Sequence, residues 1–221
     1  MLSALPGIAG LFLAVSPAPA RAHPHEFVDT AITFRFDDTG RLGAIGVVWI
    51  WDDLTSMLIV EDLGMDADGD GELTEAERQA LSDRFGNWPE GFTGDLHLSH
   101  AGRTVGIGGP LDLVADYRRG RLIVSYLRAL PERIEMTAGP VSLQVYDPEY
   151  YVFYDLYGVP EVVGRADCHV DVVKADIPAA QRIYDQLLGQ LSEEEMMEEG
   201  RYPEVGGAFA DEMRLECAAA P

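Results

Sequence analysis

Residues 66–77 carry oxygen-bearing side chains at the spacing of a calcium-binding loop. Calcium takes about six to eight oxygen ligands, and such a loop supplies them from its positions 1, 3, 5, 7, 9 and 12. Those positions hold Asp66, Asp68, Asp70, Glu72 through its backbone carbonyl, Thr74, and Glu77 as a bidentate ligand. Gly71 is sixth, where the chain must turn sharply at a positive φ, and the apolar Leu73 is eighth. The pattern predicts a calcium site; the alternative is a plain acidic turn.

A loop of this kind needs a helix on each side, and the flanking residues predict both. Asp52 and Asp53 can cap a first helix, whose apolar stripe is expected to comprise Leu54, Met57, Leu58, Ile59 and Leu63. A second stripe comprises Leu73, Ala76, Ala80, Leu81 and Phe85, and Gly86-Asn87 is a plausible stop. The sequence therefore predicts a helix–loop–helix over roughly 53–86. Since no second loop of this pattern occurs in the sequence, we expect a structural or moderate-affinity site and not a cooperative sensor.

Two histidines near the amino terminus offer nitrogen ligands to a transition metal. Cleavage after Ala22 would make His23 the first residue, so that its α-amine and ring nitrogen could act together with His25. Pro24 has no N–H, which excludes the square-planar chelate that uses the amide nitrogen of the second residue. A site for zinc, nickel or copper remains open. The alternative is a frayed terminus with two solvated histidines.

The first 22 residues resemble a secretory signal peptide. Residues 2–15 are apolar but too few to span a bilayer, and Ala20-Arg21-Ala22 is a small-x-small cleavage pattern. We expect cleavage after Ala22, which makes the mature protein periplasmic. The alternative is a cytoplasmic protein with an apolar amino-terminal helix.

The charge balance excludes some partners. The chain has 38 acidic and 16 basic side chains, a formal net charge of −22. Such a protein repels phosphate backbones and anionic lipid headgroups, so nucleic-acid and membrane-surface binding are not expected. No segment after the leader has the pattern of a transmembrane helix, so a protein that is not membrane-embedded is expected after cleavage.

Cys168 and Cys217 are the two cysteines of the chain and fit a single disulfide in an exported protein. The alternative is a thiol metal site that combines Cys168 with the adjacent His169.

The remaining pattern predicts an α+β fold. Strands are expected at 27–37, 42–51, 94–100, 103–108, 110–117, 120–129, 133–146 and 161–172, the first two as a hairpin. A helix is expected over 178–189 and a second short one after Ser192. Residues 23–221 are therefore expected to form one antiparallel, β-rich α+β domain with a helix–loop–helix insertion and carboxyl-terminal helices.

No motif of an enzyme is found. The sequence lacks a phosphate-binding glycine loop, a nucleophile elbow and a zinc-protease helix. The aromatic segment 146–157 favours packing over ligand binding. We therefore expect a protein that is not an enzyme.

Taken together, these features resemble the DUF1007 family of bacterial exported proteins. The resemblance rests on the leader ending before His23-Pro24-His25, on Phe34 to Trp51 leading into Asp52-Asp53-Leu54, on the acidic loop, and on Tyr146-Asp147-Pro148 followed by Tyr150-Tyr151. Glu26 departs from the family pattern, in which an apolar residue follows His25. The resemblance implies a periplasmic accessory of a zinc, nickel or cobalt transport system. The alternative is a non-catalytic structural or binding module in which calcium only stabilises the fold; a third hypothesis, an oxidative copper enzyme using His23, is the least favoured.

Overall fold

A computed structural model describes residues 24–192 and 202–218. The strands, in chain order, are β1 Glu26–Phe36, β2 Leu42–Trp51, β3 Leu96–His100, β4 Arg103–Thr104, β5 Pro110–Arg118, β6 Arg121–Ile134, β7 Val141–Val145, β8 Val152–Leu156, β9 Glu161–Val163, β10 Cys168–Val173 and β11 Glu212–Cys217. The helices are α1 Asp53–Asp62, α2 Glu75–Gly86, α3 Ile177–Leu188 and α4 Gly206–Phe209, with a 3-10 turn at Met136–Ala138. The fold is mixed α+β and rich in antiparallel strands, as predicted. The expected leader, His23 and the helix expected after Ser192 lie outside the described residues.

The first sheet is built on the predicted hairpin of β1 and β2. Its turn is fixed by Asp37, whose carboxylate accepts hydrogen bonds from the N–H groups of Thr39 and Arg41, and by Gly40 at φ 75°. The strand order is β5-β6-β2-β1-β8, and β9 also pairs with β1. Both β8 and β9 run parallel to β1. This sheet is therefore not purely antiparallel, contrary to the sequence-based expectation.

Several predicted strand limits are wrong: the strand expected over 103–108 ends at Thr104, and the one expected over 133–146 is interrupted by the 3-10 turn. Two further differences have local reasons. The strand expected over 161–172 is divided into β9 and β10, and Gly164 between them has φ 94°. A Cβ at Gly164 would lie 2.6 Å from the carbonyl oxygen of Phe36, so the backbones pass too closely for another residue. Conversely, β6 continues through Pro131, where a turn was expected. Its register against β2 shifts between Leu42 and Ala44, and proline is tolerated at such irregularities.

The second sheet packs into the same core as the first. Its order is β10-β11-β7-β3-β4, and every pairing in it is antiparallel. One apolar cluster takes buried side chains from both sheets, among them Ile45, Val47 and Trp49 of the first and Leu98, Leu143 and Leu215 of the second. Alternation along the strands places these residues inward.

The helices α1 and α2 lie between β2 and β3, where the insertion was predicted. Asp52 caps α1 by accepting from the N–H of Thr55, and Thr74 caps α2 in a capping box with Glu77. The predicted apolar stripe of α1 is wrong in part, because Leu54, Met57 and Leu58 are exposed. Ser56 and Val60 are the buried residues, with Ile59 and Leu63 packed against the core. In α2, Leu81 is buried and Phe85 is packed against the core, whereas Ala76 and Ala80 are exposed.

The predicted disulfide between Cys168 and Cys217 is present and links β10 to β11. In the chain-entropy model, a closed loop of this length stabilises the fold by about 4 kcal/mol. Within the described residues no helix is both long and apolar enough to cross a membrane.

Candidate metal site

The acidic loop brings three of its predicted ligands together. Asp66, Asp68 and Asp70 each offer a carboxylate oxygen, and these oxygens lie within 4.8 Å of one another. Hard oxygen ligands at this proximity fit calcium, which accepts carboxylates and carbonyls in flexible geometry. Asp66 is half-buried, whereas the other two carboxylates are exposed to solvent. Within residues 24–192 and 202–218, this is the only cluster of three or more side chains suited to a metal.

Backbone geometry explains why the three carboxylates converge. Gly69 and Gly71 have φ of 70° and 80°, a region that only glycine enters without a steric penalty. The tight turn directs the N–H of Gly71 at Asp66, 3.2 Å from both carboxylate oxygens. Asp70 accepts from the N–H of Glu72 at 2.8 Å. The loop is therefore held in a compact form by its own carboxylates.

Glu77, the predicted twelfth-position ligand, is placed differently from the aspartates. Its Oε1 accepts from the N–H of Asp66 at 3.0 Å, and its Oε2 accepts from the N–H and hydroxyl of Thr74 at 2.8 and 2.7 Å. The hydrogen bonds from Thr74 are the main reason that the pKa of Glu77 is lowered. Glu77 thus closes the loop from its last position to its first, but it does not belong to the three-carboxylate cluster.

Backbone groups of strands β5 and β6 hold the loop and its helices on the first sheet. Glu72, the seventh-position residue, forms an isolated antiparallel bridge with Arg118 at the end of β5. The hydroxyl of Ser82 in α2 accepts from the N–H of Ala115 at 2.9 Å. The buried hydroxyl of Ser56 in α1 accepts from the N–H of Leu122 at 2.9 Å. The position of the carboxylates therefore depends on the hairpin of β5 and β6.

The predicted transition-metal ligands are not assembled into a site by the described part of the chain. His25 donates its backbone N–H to the carbonyl of Tyr151 at 2.8 Å, and its ring stacks on that of Tyr151 at 4.7 Å between centroids. Its predicted partner, His23, is outside the described residues. Cys168 is held in the disulfide, so the alternative thiol site with His169 is not formed.

Two buried charged residues were not singled out from the sequence. Asp95 is 8 % exposed and accepts from the Tyr154 hydroxyl at 2.6 Å, and burial raises its pKa to about 6. Arg128 is 2 % exposed and lies on the inward face of β6. The sequence did contain the signal for Arg128, because alternation places it in line with Val124, Tyr126 and Leu130. Asp95 gave no such signal, since it precedes β3 in a loop.

The fold and the loop together define the class of protein: it is a mixed α+β protein whose two sheets share a core and whose helical insertion carries an acidic loop. The chain belongs to the DUF1007 family. The family model, described as "Protein of unknown function (DUF1007)", matches residues 8–217. No curated protein matches the chain.

Proposed function

We propose that this protein is an exported calcium-binding protein that holds the ion in the loop of residues 66–77. The observation that carries the proposal is the convergence of the carboxylate oxygens of Asp66, Asp68 and Asp70. Three carboxylates this close repel one another, and a divalent cation removes that repulsion. The backbone carbonyl of Glu72, Thr74 and Glu77 supply the remaining oxygens. The disulfide is compatible with export to the periplasm.

The test is calcium-dependent thermal stability of the Asp68→Ala variant. Asp68 is the best choice because, within the described residues, its side chain makes no hydrogen bond or ion pair that its removal would break. At a calcium concentration about one hundred times Kd, the stabilisation is about 2.7 kcal/mol, which is a shift in Tm of about 5–10 °C. We expect this shift in the wild type and its loss in Asp68→Ala.

The matched control is Asp62→Ala, which removes an exposed acid just before the loop. If calcium acts only through general charge screening, both variants lose the same part of the shift. If the loop coordinates the ion, Asp62→Ala keeps the full shift. An unchanged calcium response in Asp68→Ala would refute the proposed site.

We further propose that the protein serves as a periplasmic accessory of a zinc, nickel or cobalt transport system. His23 and His25 would take the transition metal, and the family resemblance motivates this part. The test is to titrate the processed protein with zinc, nickel and copper, and to repeat the titration with the His23→Ala and His25→Ala variants. Loss of a saturable site in both variants is expected.

The second candidate is a non-catalytic structural or binding module in which calcium only stabilises the fold. The bridge between Glu72 and Arg118 favours it, because an ion held in the loop would fix the insertion on the sheet. Metal titrations that do not change when His23 and His25 are replaced would support this candidate over the transport accessory.

A further inference from the structure

Arg128 is a cation placed where the strand pattern requires apolar residues. Along β6, the inward positions are Leu122, Val124, Tyr126, Arg128 and Leu130, and each is at most 4 % exposed. Removing a guanidinium from water is costly unless hydrogen bonds and an opposite charge replace the lost hydration. The surroundings of this side chain therefore indicate what it binds.

The protein itself gives Arg128 only neutral partners. Its Nε donates to the carbonyl of Gly108 and its Nη1 to the carbonyl of Thr93. The guanidinium also lies over the ring of Trp88, 4.7 Å from its centroid. Among the described residues, no carboxylate lies within salt-bridge distance of Arg128, and Nη2 has no acceptor. The positive charge is hydrogen-bonded but is not neutralised.

Arg128 lines a cleft of about 440 Å³ between strands β3 and β7 and the segment that follows β4. Val105 and Ile107 are partly exposed and give the cleft apolar surface, and Ser99, Thr104 and Gln144 give it hydroxyl and amide groups. A volume in this range is typical of small-molecule sites, which are mostly apolar with a few fixed polar groups.

The lining of this cleft differs from the rest of this acidic chain. It contains no aspartate or glutamate, and Arg128 is its one fixed charge. Two other clefts of similar size, about 590 and 430 Å³, include Asp116 and Glu216 respectively among their lining residues. Glu212, the cross-strand partner of the lining residue Gln144, accepts from Ser142 at 2.6 Å and is already paired with Arg214 at 2.6 Å.

His97 adds a hydrogen-bonding group without adding charge. Its Nε2 lies 3.1 Å from the carbonyl oxygen of Tyr146, so Nε2 carries the proton and Nδ1 is left as an acceptor. Burial lowers the pKa of His97, which keeps the ring neutral at pH 7. The cleft therefore presents a single positive charge, fixed at Arg128.

We propose that this cleft binds a small organic monocarboxylate whose carboxylate pairs with Arg128 and whose apolar part lies against Val105 and Ile107. Guanidinium and carboxylate match in both charge and planar geometry. A dianion such as inorganic phosphate fits less well, because one cation neutralises only one of its charges. This site is separate from the acidic loop and does not rest on calcium binding.

The test uses hexanoate as the probe, with hexan-1-ol as an uncharged analogue and inorganic phosphate as a dianion. Tryptophan fluorescence reports binding because Trp88 contacts the guanidinium. We expect saturable binding of hexanoate that is about tenfold or more tighter than binding of the other two probes. Equal binding of hexanoate and hexan-1-ol, or no saturable hexanoate binding, would overturn the proposal.

A pair of glycine variants distinguishes loss of binding at the cleft from loss of the fold. Arg128→Gln removes the charge but also disturbs the bonds to Gly108 and Thr93, so a folding defect is a risk. Gly106→Phe leaves those bonds intact: Gly106 lines the cleft, and a Cβ built there has no atom within 4 Å. Gly109→Phe is the matched control, since Gly109 is equally open but does not line the cleft.

We expect Gly106→Phe to lose hexanoate binding and Gly109→Phe to retain it, each with and without calcium. Retention of wild-type affinity by Gly106→Phe, or equal loss in both glycine variants, would contradict the assignment of the cleft.

Discussion

At the scale of single residues, hydrogen bonding lowers the pKa of one carboxyl group of this protein, and burial raises the pKa of another. Glu77 is only half-buried, and hydrogen bonds from Thr74 lower its pKa. Asp95 is buried, and desolvation raises its pKa to about 6 although Tyr154 donates a hydrogen bond to it. Burial therefore dominates at Asp95, and its ionised form is destabilised in the folded state.

We predict that Asp95→Asn stabilises the protein relative to the wild type above pH 6. The raised pKa means that Asp95 weakens the fold as pH rises from about 4, its value in the unfolded chain, through about 6 in the folded chain. The difference of about two pKa units corresponds to about 3 kcal/mol. Asparagine can still accept from Tyr154 and tolerates the φ of 54° found at this position.

Urea unfolding of both proteins between pH 4 and pH 8 measures this effect. The free energy of unfolding of the variant minus that of the wild type should rise through pH 4–6 and level off near pH 7. A difference that does not change with pH would show that Asp95 keeps an ordinary pKa.

At the residue scale, the sequence carries those signals that are local. The turn at Gly71 and the spacing of Asp66, Asp68 and Asp70 depend on consecutive residues, and the structure gathers those carboxylates. The environments of Asp95 and Arg128 depend on Tyr154 and Thr93, which are distant in sequence. Strand alternation could have identified Arg128 as inward-facing, but not its partners.

At the scale of elements, hydrogen bonds that two serine hydroxyls accept from the first sheet orient the helical insertion on that sheet. Helix α1 places Ser56 on its buried face and leaves Leu54, Met57 and Leu58 exposed. In that orientation, the Ser56 hydroxyl accepts from Leu122 and donates to the carbonyl of Trp51. The predicted apolar face was wrong in part: Ile59 and Leu63 pack against the core, but the position between them and the sheet is taken by Ser56, which supplies the acceptor that the buried N–H of Leu122 needs.

We predict that Ser56→Ala destabilises the protein by about 2 kcal/mol, since it leaves the buried N–H of Leu122 without its acceptor. The matched comparison is Ser82→Ala in α2, which removes the acceptor for Ala115. Ser82 is only half-buried, so water can replace its hydroxyl and we expect a loss of about 1 kcal/mol or less. Urea unfolding measures both values; equal losses would mean that burial does not set the cost.

Strand pairing shows which part of the fold the sequence could not specify. The hairpin of β1 and β2 was predicted because its turn and both strands are contiguous. The parallel pairing of β1 with β8 and β9, and the insertion of β11 between β10 and β7, join segments far apart in the chain. The shared core selects such pairings, so the sequence of either segment alone does not indicate its partner strand.

At the scale of the whole molecule, the acidic loop is bridged to the first sheet through Glu72 and Arg118. Glu72 in the loop bridges to Arg118, and the turn after Arg118 leads directly into β6, the strand that carries Arg128. No described element of the second sheet pairs with the loop. An ion bound in the loop should therefore stabilise the β5–β6 turn before other parts of the sheet.

We predict that calcium slows amide hydrogen exchange in two separate segments, residues 70–74 and residues 116–121, and leaves the strand β10 unchanged. Calcium orders the loop, and the Glu72–Arg118 bridge transmits that order to the end of β5. Each 1.4 kcal/mol of local stabilisation slows exchange by about tenfold. Asp68→Ala should remove the effect in both segments, whereas Asp62→Ala should keep it. Protection of the loop without protection of residues 116–121 would show that the ion is bound but that the bridge does not couple it to the sheet.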